Sequence, residues 1–199
     1  MNDFEKFAYD QICDALATID AQSTADIYVL SFYIYDVNDD PRRPVLQFGY
    51  NTRARLAECT PADDELPGWP VASNAQEAKW NFAFWLQNEL TSVGETGSEG
   101  ERLLEAALKA KALWYSDEDE ETDFDGCDKF ARGITDYFVD ASVRIARALH
   151  ASGVIEQRFS IAIPIVVHEL EYYDQIGLQT RLANPPGIAQ EFEDWIANI

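Results

Sequence analysis

RFSIAIPIVVHELEYYD, from Arg158 to Asp174, is the stretch that decides the fold. Residues 159–167 form an almost unbroken apolar run, and they are rich in β-branched side chains. Such a run is far too short to cross a bilayer, so it is typical of a strand that is covered on both faces. We therefore predict a central strand over residues 159–168, with a bulge or a sheet edge at Pro164, because proline removes a ladder donor.

A β-hairpin is predicted near the amino terminus. Apolar residues at helical spacing first predict a helix from Asp3 to about Ile19. Residues 27–35 and 45–50 are β-rich runs, and the intervening DVNDDPRRP contains the proline, asparagine and aspartate residues that favour turns. The two runs therefore predict an antiparallel pair in the same sheet as the strand over residues 159–168.

Helices account for most of the remaining sequence. Two capping-box patterns, SNAQ at Ser73 and SEGE at Ser98, mark the starts of two of them. The helices predicted after the hairpin span approximately residues 74–90, 99–115, 128–151, 170–182 and 187–196. We therefore predict one α+β domain over residues 1–199, in which about five to six helices cover a small, mainly antiparallel sheet. The aromatic helix over residues 74–90 is apolar on more than one side, so it either fills the core or forms an interface.

The composition is strongly acidic. The 199 residues include 36 Asp and Glu against 15 Lys and Arg, which gives a formal net charge of −21. Such a surface repels nucleic-acid phosphates and anionic lipids, and it attracts basic proteins or cations. We therefore expect a basic protein partner, no binding to nucleic acid and no binding to membranes. The alternative is that the acidity only keeps the chain in solution.

Cysteine usage and the amino terminus bear on the compartment. Cys13, Cys59 and Cys127 are far apart and odd in number, so they predict no disulfide framework, as is typical of a reducing compartment. The first residues, MNDFEKFAYDQ, lack the features of a signal peptide. No segment approaches the ~20 apolar residues of a membrane span. We expect a cytoplasmic protein.

The polar residues that follow the apolar run, His168, Glu169 and Glu171, are the candidates for catalysis. They resemble half of the zinc motif HExxH, but residue 172 is a tyrosine where the second histidine should be. On a strand, His168 and Glu169 would point to opposite faces, whereas Glu169 and Glu171 would share a face and could perform acid–base chemistry. The structural alternative is a strand-end histidine that is hydrogen-bonded to a neighbour.

Other motifs for catalysis, metals and cofactors are missing from the sequence. Segments that begin at Glu121 and Asp36 follow the first positions of an EF-hand loop, but their twelfth positions are Arg132 and Gln47 instead of glutamate. Neither GxSxG, nor GxGxxG, nor the P-loop pattern occurs. We therefore predict no metal site and no cofactor.

Three acidic patches are the candidate partner-binding surfaces. They comprise Asp36, Asp39 and Asp40 in the hairpin loop, then Asp117, Glu118, Asp119, Glu120 and Glu121, and finally Asp63 to Glu65. The second patch belongs to a run of seven acids in nine residues, which predicts a mostly solvated loop. Aromatic residues beside such a patch would supply the contacts that dominate binding energy.

A resemblance to known proteins rests on three segments and the hairpin. The segments are AKWNFAFWLQNE at residues 78–89, IPIVVHELEYYDQI at residues 163–176 and LANPP at residues 182–186. Together they resemble small acidic bacterial proteins of uncharacterised α+β families, some of which occur as immunity proteins beside polymorphic or contact-dependent toxins. The resemblance implies a cytoplasmic protein that binds and neutralises a cognate toxin, and it implies no catalytic residues.

The leading hypothesis is a non-enzymatic inhibitor of a basic protein, such as a nuclease toxin, because an acidic surface imitates a polyanionic substrate. Two alternatives remain open. One is a small hydrolase or metal-dependent enzyme that uses His168, Glu169 and Glu171, and the other is a self-associating protein that uses the aromatic helix. We expect a monomer or a weak homodimer.

Overall fold

The polypeptide packs helices around a four-stranded mixed sheet, and the computed structural model describes residues 1–62, 70–171 and 174–199. The helices of these residues are α1 (Asp3–Thr18), α2 (Arg53–Cys59), α3 (Ala75–Trp80), α4 (Glu99–Ala110), α5 (Asp117–Thr122), α6 (Phe124–Ala151), α7 (Val154–Phe159), α8 (Asp174–Ala183) and α9 (Gln190–Ile196). The strands are β1 (Ile27–Asp36), β2 (Pro44–Thr52), β3 (Thr91–Val93) and β4 (Ile165–His168). The predicted α+β class is confirmed.

The predicted hairpin is present, and it forms the middle of the sheet. The strand order is β3-β2-β1-β4. The pairs β1–β2 and β2–β3 are antiparallel, whereas β1 and β4 are parallel, with Tyr33 opposite His168. The sheet is thus mainly antiparallel, as expected. The strand β3 is not among the predicted elements, because three residues are too few to show a periodic pattern.

The apolar run over residues 159–168 forms neither a long strand nor a central one. Its first residue, Phe159, ends α7, and Ser160 has a left-handed backbone conformation with φ 63°. Only the four residues of β4 pair with β1, and β4 lies at the edge of the sheet. The prediction of a central strand is therefore wrong, whereas the sheet edge expected near Pro164 is present.

Side chains, instead of another strand, close the outer edge of β4. The Asn184 amide accepts a hydrogen bond from the backbone N–H of Ile165 at 2.8 Å and donates one to its carbonyl at 2.7 Å. Gln179 Nε2 donates to the Val167 carbonyl at 2.8 Å, and the Val167 N–H donates to the Thr180 hydroxyl at 3.2 Å. Because these bonds satisfy the backbone groups that an edge strand leaves unpaired, β4 can be apolar on both faces and still lie at an edge.

Both faces of the sheet are covered by side chains. On one face, α1, α4, α6 and α7 contribute to the larger core, in which Phe4 contacts Phe138 and Phe32 contacts Phe48. The core on the other face is smaller and mainly aromatic, and its buried members are Tyr28, Val29, Trp80, Phe82, Trp85, Val166, Ile176, Phe192 and Ile196. Since side chains alternate along a strand, His168 lies on the same face as Val166, towards this aromatic core.

The aromatic segment is not one helix over residues 74–90. The short helix α3 is capped by Asn74, not by Ser73, because the Asn74 side chain accepts the hydrogen bond from the third helical residue. The helix then ends at Asn81, whose backbone is extended and whose side chain accepts a hydrogen bond from the Ala83 N–H at 3.0 Å. Asparagine competes with the helical hydrogen bonds in this way, and it starts a 3-10 turn over residues 82–84.

This break places the aromatic side chains in the core. Trp80, Phe82 and Trp85 are all buried on the same face of the sheet. In a continuous helix, Trp80 and Phe82 would project about 200° apart, so no single helix could bury all three rings against one surface. The core interpretation of this segment is the one that the structure supports.

Within the described part of the chain, every helix is too short or too polar to cross a lipid bilayer.

Candidate functional site

The predicted catalytic candidate His168 lies in the interior, beside Ser31 of the neighbouring strand. Its Nε2 is 2.8 Å from the Ser31 hydroxyl oxygen, and its Nδ1 donates a hydrogen bond to the backbone carbonyl of Glu169 at 3.0 Å. Because the carbonyl can only accept, Nδ1 carries the proton and Nε2 of the neutral ring accepts from the Ser31 hydroxyl. A serine and a histidine are thus hydrogen-bonded as in nucleophilic hydrolases.

Solvent does not reach this pair. Ser31 is 3% exposed and His168 is 0% exposed. The rings of Tyr33, Phe82 and Trp85 surround the imidazole at centroid distances of 5.4, 4.6 and 5.7 Å. Burial lowers the pKa of His168 to about 4, because the charged ring would lose its hydration. Since no substrate can reach the ring in this conformation, the geometry favours the hydrogen-bonded strand-end histidine over a catalytic one.

The glutamates of the same sequence cluster lie elsewhere, in a surface cleft at the carboxyl ends of β1 and β4. This strand-end cleft has a volume of about 400 Å³, and its acidic lining residues are Asp36, Asp39, Glu169 and Glu171. Leu170, which is 73% exposed, adds an apolar side chain. The parallel pairing of β1 and β4 therefore joins the hairpin patch to the candidate catalytic glutamates, which are far apart in sequence.

Burial strongly affects the Asp36 carboxyl group in the strand-end cleft. Burial raises its pKa to about 6, and the negative charges of Glu169, Asp40 and Asp39 contribute in the same direction. A carboxyl group with such a pKa exchanges a proton near neutral pH. A cation that neutralised the neighbouring carboxylates would stabilise its charged form. Among the described residues that line the cleft, none is lysine, arginine or histidine.

Arg42 connects the hairpin patch to the second acidic patch. Its guanidinium group donates two hydrogen bonds of 2.9 Å to the Asp40 carboxylate and one of 2.6 Å to Asp117. It also lies 3.5 Å from a Glu120 oxygen and 4.9 Å from the centre of the Tyr115 ring. Burial alone would raise the pKa of Asp40, but these hydrogen bonds outweigh it and hold that pKa below its usual value. Three of the predicted partner-binding residues, Asp40, Asp117 and Glu120, are thus paired with Arg42.

The second acidic patch is helical, so the prediction of a solvated loop is wrong. Ser116 caps α5 and forms a capping box: its hydroxyl accepts from the Asp119 N–H at 3.2 Å, and the Asp119 carboxylate accepts from the Ser116 N–H at 2.8 Å. Acidic residues in a first turn also interact favourably with the helix dipole. The pattern SDED at residues 116–119 is the signal that could have identified this helix.

The surface formed by α5 and the first two turns of α6 is the most acidic continuous stretch of the chain. Residues 117–128 contain eight Asp and Glu and no Lys or Arg. Its exposed acids are Asp117, Glu118, Asp119, Glu121, Asp123, Asp125 and Asp128. Phe124, which is 70% exposed, and Phe130, which is 39% exposed, lie on or beside this surface. We name this region, residues 117–130, the acidic corner; Lys129 is the one basic residue within it.

The third acidic patch, Asp63 to Glu65, lies outside the described residues. Among the residues that are described, no three His, Cys, Asp or Glu side chains converge in an arrangement that could hold a metal ion.

Comparisons with known proteins give no relative: no protein-family model, no curated protein and no solved structure matches the chain significantly.

Proposed function

We propose that the protein is a non-enzymatic binding protein that captures a basic protein partner, in the manner of an immunity or antitoxin-like inhibitor in the cytoplasm. The observation that carries this proposal is the acidic corner, where many exposed carboxylates lie on the same surface as the exposed side chain of Phe124. The strand-end cleft provides a second acidic surface.

Three exposed carboxylates of the acidic corner are available to a partner. Glu118, Glu121 and Asp125 are exposed and form no ion pair with any described residue. A predominantly negative field accelerates the encounter with a protein of opposite charge. The same field repels nucleic acid and a second copy of this acidic chain.

The acidic corner is also held in place before any partner binds. The capping box at Ser116 fixes the start of α5, and Arg42 holds Asp117 and Glu120 on the side of the helix that meets the hairpin. A preorganised surface loses less conformational entropy on binding than a mobile acidic loop. Phe124 then supplies the kind of aromatic side chain that dominates binding energy at interfaces.

The direct test uses the protein encoded next to this chain's gene. Cell growth is measured when that protein is expressed alone and together with this chain, and the association rate constant is measured by stopped flow at several salt concentrations. We expect growth to be restored by co-expression, and we expect association to slow as salt screens the charges. If co-expression does not restore growth and no binding is detected, the proposal is refuted for that partner class.

Two charge-matched variants assign the surface. Glu118→Gln with Glu121→Gln removes two charges from the acidic corner, and Asp10→Asn with Asp14→Asn removes two exposed charges from α1. We expect the first variant to slow association several-fold and to flatten its salt dependence, and the second to have little effect. Equal effects of the two variants would mean that only net charge matters.

A further inference from the structure

A groove between α6 and α8 adjoins the strand-end cleft. It has a volume of about 500 Å³, and Thr135 and Glu169 line both depressions. Both helices that form the groove are packed in the fold, since α6 contributes to the larger core and Gln179 of α8 donates a hydrogen bond to the backbone of β4. It is therefore a surface with a defined shape, not a gap between loops.

Four apolar side chains line the groove, together with the polar residues Thr135, Gln175 and Gln179. Val139 and Val143 contribute from α6, and Leu178 and Leu182 contribute from α8. Leu178 is 40% exposed and Leu182 is 50% exposed, and the two are one helical turn apart. Together with Leu170 at the neighbouring cleft, they place exposed leucines along one continuous depression. Exposed apolar side chains that are grouped in this way mark a binding surface more often than scattered ones do.

The rim of the groove is acidic. Asp136 and Asp140 lie one turn apart on α6, and Glu169 lies where the groove meets the strand-end cleft. Asp136 and Asp140 are exposed and form no ion pair with a described residue. No lysine, arginine or histidine occurs among the described residues that line the groove. Every charge offered to an occupant is therefore negative.

We infer that this α6–α8 groove docks a cationic amphipathic helix of the basic partner, an inference that rests on the proposed function. The two aspartates of the groove are four residues apart, and so are its two leucines. A complementary helix would carry Lys or Arg residues one turn apart on one side and aliphatic residues one turn apart on the adjacent side. A second copy of this chain fits less well, because it would bring an acidic rim against an acidic rim. A nucleic acid is excluded by the same repulsion, and it would leave the leucines uncovered.

The test uses a synthetic amidated peptide of about four helical turns, with lysines on one face and leucines on the adjacent face. A peptide of the same composition in scrambled order is the reference for charge alone. Binding is measured by fluorescence anisotropy against the full chain, against Asp136→Asn with Asp140→Asn, and against Asp10→Asn with Asp14→Asn. Each double variant removes two negative charges from exposed aspartates that are four residues apart, one pair on α6 and the other on α1. We expect about tenfold weaker binding for the groove variant and an unchanged affinity for the α1 variant.

A third variant separates groove binding from electrostatic attraction. Leu182→Ser leaves the charge unchanged and removes half-exposed apolar surface from the lining of the groove. We therefore expect it to weaken binding of the amphipathic peptide several-fold and binding of the scrambled peptide hardly at all. Equal binding of the two peptides, equal effects of the two charge variants, or a dimer held together through Leu178 and Leu182 would overturn the inference. None of these results would affect the proposed function, which depends on the neighbouring gene's protein and on the acidic corner. Conversely, Glu118→Gln with Glu121→Gln could lose partner binding and still bind the peptide. This result would support a groove that binds the helix independently of the acidic corner.

Discussion

The Ser31 hydroxyl oxygen and His168 Nε2 lie 2.8 Å apart across two adjacent parallel strands, and both residues are almost completely buried. In a hydrolase, this contact would face the substrate. Here the aromatic core covers it, so its role is to satisfy two polar side chains that the sheet has taken out of water. The pair should therefore affect stability instead of catalysis.

Replacement of His168 by glutamine should flatten the pH dependence of stability in mildly acidic solution. Burial lowers the pKa of His168 to about 4 from the usual 6.5, so between these values the unfolded chain binds a proton that the folded chain does not. The stabilising contribution is complete above pH 6.5 and is lost as the pH falls towards 4, by about 3 kcal/mol in all. Urea denaturation at several pH values, for the native chain and for His168→Gln, measures this difference.

The second histidine makes a comparison with the native chain necessary. Burial also lowers the pKa of His150, so its contribution has the same sign. The slope that remains in His168→Gln is assigned to His150 and the carboxyl groups, and the slope that disappears is assigned to His168. If the variant and the native chain lose stability in parallel on acidification, the lowered pKa of His168 is not the cause of that loss.

Asp36 should show the opposite dependence. Burial and the charge of Glu169 raise its pKa to about 6, so the folded chain holds a proton that the unfolded chain has released. The contribution of Asp36 to the free energy of unfolding is complete when the pH is below the usual aspartate pKa, and it is lost as the pH rises through 6. Because Asp36 is partly exposed, screening reduces the effect to about 1 kcal/mol, and Asp36→Asn should be more stable than the native chain at pH 7 by that amount.

The Asp36 carboxyl can also be observed directly. Its carbon-13 resonance should titrate with a midpoint near 6 in the folded chain, while urea denaturation compares Asp36→Asn with the native chain. A midpoint near that of an ordinary aspartate would show that the strand-end cleft is more hydrated than its geometry implies. A variant less stable than the native chain at pH 7 would contradict the sign.

The sequence is sufficient to predict local pairing but not the place of an element in the sheet. The hairpin follows from β-rich runs around a turn-rich loop, and Ser98 caps α4 as its pattern predicts. The run ending at His168 looks like a central strand because it is apolar on both faces. Its edge position depends on Asn184 and Gln179, whose hydrogen bonds to β4 replace a neighbouring strand and leave no periodic signal.

The candidate site was predictable only in its parts. The acidic residues themselves are evident, but Asp36 and Glu169 share a cleft only because β1 and β4 run in parallel. Likewise, nothing in the spacing of Arg42 and Asp117 indicates that they form an ion pair. Tertiary contacts between distant segments decide which charges are free for a partner and which are used internally.

The pairing by Arg42 leads to the last prediction. Arg42 is 12% exposed and contacts three carboxylates, whereas the adjacent Arg43 is 45% exposed and has one 3.6 Å contact with Asp40. Arg42→Ala would leave Asp40 partly buried beside two like charges, so the free energy of unfolding should fall by about 2 kcal/mol, and the amides of α5 should exchange faster. Arg43→Ala, which removes the same charge one residue away, should change stability by less than about 0.5 kcal/mol. Urea denaturation and hydrogen exchange of both variants compare the two arginines, and equal losses would mean that net charge, not the Arg42 junction, holds the acidic corner against the hairpin.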